Sequence, residues 1–107
     1  MTQNVCGCSA KDLMCMMASQ KDLIILDVRE PDEYIKYGSV SDHDIKIPLG
    51  NLKSNLDKLD KNKKIVVYCH GGVRSEKACQ ILEKHGFNAV NLCGGIMAYN
   101  CERNNSC

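Results

Sequence analysis

The sequence predicts an α/β domain: a central, mostly parallel five-stranded sheet with helices on both faces. Three observations carry this. Short apolar or β-branched runs alternate with stretches of helical spacing along the 107 residues, the pattern of strand–helix–strand units. Two of the runs, Leu23-Ile24-Ile25-Leu26 and Ile65-Val66-Val67-Tyr68, are continuously apolar, as strands covered on both faces are. No repeat or linker interrupts the chain and its length suits one core, so it reads as a single domain over 1–107, with 100–107 a flexible tail.

Taken in order, Val5 to Ser9 reads as a short edge strand. Ser9 then caps the first helix, with Asp12 three residues on completing a capping box. Ala10, Leu13, Met14 and Met17 form that helix's apolar face. The run Met14-Cys15-Met16-Met17 offers soft sulfur ligands, but on a short helix it reads as core packing, because methionine fills irregular gaps. After the strand 23–26 come Asp27-Val28-Arg29-Glu30 and Pro31, which suits the first position of a helix with Asp32 and Glu33 in its first turn. Gly38 closes that helix. Ser39 to Asp44 is a loop, and Ile45 to Ile47 a short strand ended by Pro48. Leu49, Leu52, Leu56 and Leu59 mark the stripe of a further helix, and Lys61 to Lys64 a solvated, charged turn. The strand 65–68 is followed by a loop and by a helix from Ser75 to His85, on which Ala78, Ile81 and Leu82 recur and which Gly86 stops. Ala89 to Leu92 is the last strand, and Gly94-Gly95 opens a final helical turn through Tyr99.

Fourteen basic residues against thirteen acidic ones leave a net charge of +1, which gives no case for nucleic acid. The longest apolar run is too short to cross a membrane. Met1 to Lys11 lacks a basic stretch followed by an apolar one, the mark of a secretory signal, so the protein reads as cytoplasmic. Eight cysteines stand at positions 6, 8, 15, 69, 79, 93, 101 and 107, without the paired spacing of a zinc site. No metal or cofactor is expected, and most of the thiols read as reduced. Cys79 reads as core, and His43 and His85 as surface or capping residues.

The chemistry concentrates in Cys69-His70-Gly71-Gly72-Val73-Arg74-Ser75. A cysteine sits where a buried strand gives way to a helix, at the carboxyl edge of the sheet where ligands bind in open α/β folds. Gly71 and Gly72 permit positive φ, so the backbone can curl until several N–H groups point at one spot. The helix start near Ser75 adds unpaired N–H groups and the positive end of its dipole. Arg74 adds a permanent charge and a planar fork of donors. Each feature favours thiolate over thiol at Cys69, which makes it the candidate nucleophile. His70 is close to it by sequence alone, and attack by a thiolate needs no base; it is placed in the loop, where it could tune donor access, and not in the catalytic set.

Nearly the whole chain resembles single-domain rhodanese-like sulfurtransferases. The residues that carry this are Leu26-Asp27-Val28-Arg29-Glu30-Pro31-Asp32-Glu33-Tyr34, Ile47-Pro48-Leu49, and Val66-Val67-Tyr68-Cys69 with Gly72, Arg74 and Ser75. Leu82, Gly86-Phe87, Leu92 and Gly94-Gly95 continue it. The resemblance implies that Cys69 takes the outer sulfur of thiosulfate or another sulfane donor, becomes a persulfide, and passes the sulfur to a thiol, cyanide or a protein acceptor. It also implies that Arg74 helps to bind the anionic donor, while Asp27 and Arg29 support the fold beside the site. A monomer or weak dimer is expected, with no membrane or nucleic-acid partner.

Two rival readings accompany this one: a persulfide carrier or interaction module with little thiosulfate activity, and a small phosphatase or arsenate reductase. The phosphatases, including those of this fold, place five residues between cysteine and arginine. Only His70, Gly71, Gly72 and Val73 intervene here, so the ring of amides is tighter and suits a sulfur adduct better than a tetrahedral oxyanion.

The chain also departs from the family pattern. Ser39-Val40-Ser41-Asp42-His43 stands where the family usually has His-Ile-x-Gly-Ala, and Tyr99 where it has tryptophan. The C-terminal ending, Asn100 to Cys107, differs as well. Cys6 and Cys8 project from one face of a strand, and in the rhodanese arrangement the first strand neighbours the last. That could bring them near Cys93, Cys101 or Cys107, as a disulfide or soft-metal site; the alternative is that they are small buried residues.

Overall fold

A computed structural model of the chain describes residues 7–20 and 22–104. Four strands, β1 (Leu23–Asp27), β2 (Ile45–Lys46), β3 (Lys64–Tyr68) and β4 (Asn88–Asn91), form a sheet in the order β2-β1-β3-β4. Every neighbouring pair is parallel. Among the described residues the sheet therefore has four strands where five were expected. Of the stretch read as the first strand, the described part makes a single bridge, Cys8 beside Leu92, and Val5 and Cys6 lie outside the described residues. Gly7 explains the close approach: at φ +132 it lies where a Cβ would overlap the Asn91 carbonyl.

Among the described residues four α-helices accompany the sheet: α1 (Ala10–Ser19), α2 (Pro31–Tyr37), α3 (Val73–Lys84) and α4 (Gly95–Asn104). The capping box of α1 forms in full: Asp12 N donates to Ser9 Oγ at 3.0 Å and Ser9 N to Asp12 Oδ2 at 3.1 Å. α2 starts at Pro31 as expected and ends at Gly38, whose positive φ of +82 glycine adopts without a steric clash. α3 begins two residues ahead of expectation. Gly72, at φ +110, is its cap, which places Ser75 inside the first turn. α4 runs on through Asn104, so residues 100–104, read from sequence as tail, are helix; 105–107 lie outside the described residues.

The leucine stripe 49–59 forms two 3₁₀ turns, Leu49–Asn51 and Lys53–Lys58, broken at Asn55, where φ is −126°. Gly50, Asn51, Ser54 and Asn55 are weak α-helix formers, and Leu52 and Leu59 are buried without the regular helix.

Alternation along β1 and β3 divides the core. Ile24, Leu26, Ile65 and Val67 face Leu52, Leu59, Ala78 and Leu82. Ile25, Val66 and Tyr68 face Leu13, Ile96 and Tyr99 on the opposite side. Helices thus cover both faces, and Tyr99 is core. Cys79 is buried as expected, and His85 Nδ1 lies 2.9 Å from the Ile81 carbonyl, a capping contact. Among the described cysteines Cys8, Cys15, Cys69 and Cys79 are free thiols, while Cys93 and Cys101 are each disulfide-bonded. The Cys93 amide donates to the Cys8 carbonyl at 2.8 Å, so the N-terminal segment does lie beside the end of β4. No helix among the described residues is long and apolar enough to cross a membrane.

Candidate active site

β3 pairs with both β1 and β4, and the first residue past its carboxyl end is Cys69, only 1% exposed. The chain must turn there sharply enough to start α3 four residues later. Gly72 supplies the positive φ for this turn; Gly71 does not need one, and a Cβ on it would meet open space.

The turn wraps around the sulfur. Gly72 N donates to Cys69 Sγ at 3.1 Å and Ser75 N at 3.4 Å, with Ser75 Oγ 3.3 Å from the same sulfur. Burial pushes the Cys69 thiol up, but hydrogen bonds from the Ser75 side chain and from the amides of Ser75, Gly72 and Arg74 outweigh it, and the thiol settles below its ordinary value. Elsewhere burial wins. It pushes the Cys79 thiol up to about 12 and raises Cys8 too.

The loop is held from behind by α4. Ile96 N donates to the Cys69 carbonyl at 3.0 Å and Met97 N to the His70 carbonyl at 3.2 Å. Gly95 makes this possible, since a Cβ there would overlap the His70 carbonyl group. Three of the predicted loop residues, Gly72, Arg74 and Ser75, therefore turn backbone amides toward the Cys69 sulfur. The remaining side chains are placed differently. The His70 ring packs against Tyr37, with centroids 5.8 Å apart. Gly71 and Val73 face solvent. Arg74 turns to α2, where Nη1 and Nη2 donate to Glu33 Oε2 and Oε1, each at 2.7 Å. The Arg74 side chain holds the Glu33 carboxyl down at about 2.

Asp27 and Arg29 are fully buried beneath the site. Arg29 Nε and Nη2 donate to Asp27 at 2.9 Å, and Nη2 also reaches the Gly38 carbonyl at 2.7 Å. Arg29 Nη1 makes no hydrogen bond among the described residues; the guanidinium lies 5.2 Å from the Tyr68 ring centroid, a cation–π contact. Tyr68 Oη donates to Asp44 at 2.6 Å and accepts from Val40 N at 3.2 Å, which ties down the loop that departs from the family pattern.

Sequence reasoning missed three contributors: Glu33 as partner of Arg74, Gly95 under the loop, and Asn91. Asn91 Oδ1 lies 2.5 Å from Ser75 Oγ and its Nδ2 donates to the Gly72 carbonyl at 3.1 Å. An asparagine in a buried strand, where that residue is disfavoured, was the available signal.

The arrangement defines an α/β domain that presents one buried cysteine, cradled by backbone amides, at the carboxyl edge of a parallel sheet. The chain belongs to the Rhodanese-like domain family, whose model matches residues 9–102. YtwF of Bacillus subtilis, named for sulfurtransferase activity, is 36% identical over 84 residues, covering 78% of this chain and 80% of YtwF. A sulfurtransferase of Allochromatium vinosum is 32% identical over 91 residues, covering 84% and 83%. The crystal structure of a rhodanese-related protein from Thermoplasma volcanium matches with a TM-score of 0.81 at 36% identity, over 90% of this chain and 91% of that one. Longer relatives named tRNA uridine(34) hydroxylase contain a similar stretch, which makes up 28% of the one from Pelagibacter ubique.

Proposed function

We propose that this protein is a sulfurtransferase that moves a sulfane sulfur through a persulfide on Cys69. The Cys69 thiolate attacks the outer sulfur of thiosulfate or of a persulfide donor. The bond from that sulfur to the rest of the donor breaks, and sulfite or a thiolate leaves with the electron pair. Cyanide or a thiolate then attacks the terminal sulfur of the persulfide and restores the Cys69 thiolate, a ping-pong sequence. The observation that carries this reading is the convergence of the Gly72 and Ser75 amides on Cys69 Sγ. Preorganised donors stabilise the anionic sulfur without rearranging. The sulfurtransferase names of relatives matched over 80% and 83% of their own length support it.

The bidentate Arg74–Glu33 pair favours a second reading within the same chemistry. The one fixed cation between Cys69 and Ser75 is already neutralised by a carboxylate, which weakens its attraction for a dianion such as thiosulfate. A persulfide donor or acceptor presented by another protein needs no such cation, and a relative named as a sulfur carrier fits this reading. The short loop disfavours phosphoryl or arsenate chemistry.

The test is intact mass after incubating reduced protein with thiosulfate, beside Cys69→Ser. Gain of one sulfur atom, reversed by cyanide and absent from the variant, is the expected result. No adduct from thiosulfate but one from a protein persulfide selects the second reading. Failure with both, at a Cys69 that still alkylates at neutral pH, overturns sulfur transfer.

A further inference from the structure

Asn91 stands on β4, and its side chain is buried against the Cys69 loop. Its Nδ2 donates to the Gly72 carbonyl at 3.1 Å, which fixes the orientation of the amide: a flipped amide would set oxygen against oxygen. Oδ1 therefore faces Ser75 Oγ at 2.5 Å. An amide oxygen can only accept, so the single hydroxyl proton of Ser75 points at Asn91. What Ser75 then turns toward the protonated Cys69 Sγ, at 3.3 Å, is a lone pair; the hydroxyl favours the thiolate only by swinging its proton away from Asn91 and onto the sulfur.

We propose that Asn91 is a positioning residue that decides whether the Ser75 hydroxyl proton serves Asn91 or the sulfur of Cys69. With the thiol protonated, the chain of donors runs from Cys69 Sγ to Ser75 Oγ to Asn91 Oδ1. When Cys69 ionises or carries an anionic persulfide, the hydroxyl must turn to the sulfur, which leaves a buried amide oxygen without that donor. Asn91 thus holds back part of the stabilisation that Ser75 could give, and the backbone amides of Gly72 and Ser75 act on the thiolate unconditionally. Its importance for turnover rests on the sulfur-transfer reading above; the hydrogen-bond switch itself does not.

The test is the pH dependence of Cys69 alkylation by iodoacetamide in the full chain, read by mass spectrometry of the Cys69 peptide. The charged or titratable neighbours, Arg74 with Glu33 and the adjoining His70, stay the same in every variant. Asn91→Leu removes the acceptor and frees the Ser75 hydroxyl for the thiolate. The midpoint is expected to fall by roughly one pH unit, the size of a gained hydrogen bond to a charged group. Ser75→Ala added to Asn91→Leu should cancel the fall. If Asn91→Leu does not fold, Asn91→Val, shorter and suited to a strand, carries the same expectation. A midpoint that stays or rises, or a fall that survives Ser75→Ala, overturns the proposal. If the midpoint moves as stated while no donor loads sulfur, the proposed function fails and this assignment stands.

Discussion

Arg74 and Glu33, 41 residues apart in sequence, meet as a two-pronged ion pair with both N···O distances at 2.7 Å. The pair ties the first turn of α3 to the first turn of α2 and gives the loop's cation a counter-charge. In Glu33→Gln the guanidinium keeps its place in the loop but loses its counter-charge. We expect KM for thiosulfate to drop about threefold, with a stability loss of about 1 kcal/mol, since the pair is partly solvated. Steady-state kinetics and urea unfolding measure the two effects; an unchanged KM would mean that Arg74 does not meet the donor.

The same pair sets an acid limit. Glu33 is held at about 2 when folded against an ordinary 4.5, so the folded state binds its proton less readily than the unfolded one. Its contribution is complete above about 4.5 and is lost as pH falls toward about 2. Urea midpoints measured through that window should decline less steeply in Glu33→Gln than in the parent. Parallel curves would assign the acid sensitivity to other carboxylates.

Two glycines near Cys69 should differ sharply in their response to an added methyl group. Gly95 has a φ of +62 and its missing Cβ would overlap the His70 carbonyl. Gly95→Ala is expected to cost about 2–4 kcal/mol and to slow sulfur loading. Gly71→Ala meets nothing within 4 Å and should stay within about 0.5 kcal/mol of the parent. Thermal unfolding of the two variants is the check, and equal losses would contradict the geometry.

Tyr68 Oη serves the Val40 amide and the Asp44 carboxylate together. Burial raises its own ionisation well beyond the ordinary tyrosine value, so it acts only as a neutral hydroxyl. Tyr68→Phe removes one partner from each of those groups and should cost about 1–3 kcal/mol. Amide exchange should rise first at Val40 and Ser41; exchange confined to α4 would contradict this account.

What the sequence revealed and what it hid differ by range. The Cys69 loop was legible because its grammar is local: an apolar strand, glycines and a helix start within a few residues. The Ser9–Asp12 box and the Pro31 start were legible for the same reason. Glu33 with Arg74 and Asn91 with Ser75 were not, because each pair is made by the meeting of separate elements. The 49–59 stretch misled through its leucine spacing, which buries the right side chains but does not dictate an α-helical backbone. Of the expected first strand the described part makes a single bridge, Cys8 to Leu92 just past β4, and α4 outran its expected end because polar residues continue a helix as readily as they leave it.

The grip of α4 on the nucleophile loop has a consequence for how the protein comes into being. The carbonyls of Cys69 and His70 are bound by Ile96 and Met97, residues that leave the ribosome well after the loop itself. During vectorial synthesis the strand, the cysteine and α3 emerge before the clamp that fixes their geometry. The surroundings of Cys69 are therefore completed only once α4 has emerged: a nascent chain stalled before Ile96 carries the cysteine but not its finished cradle.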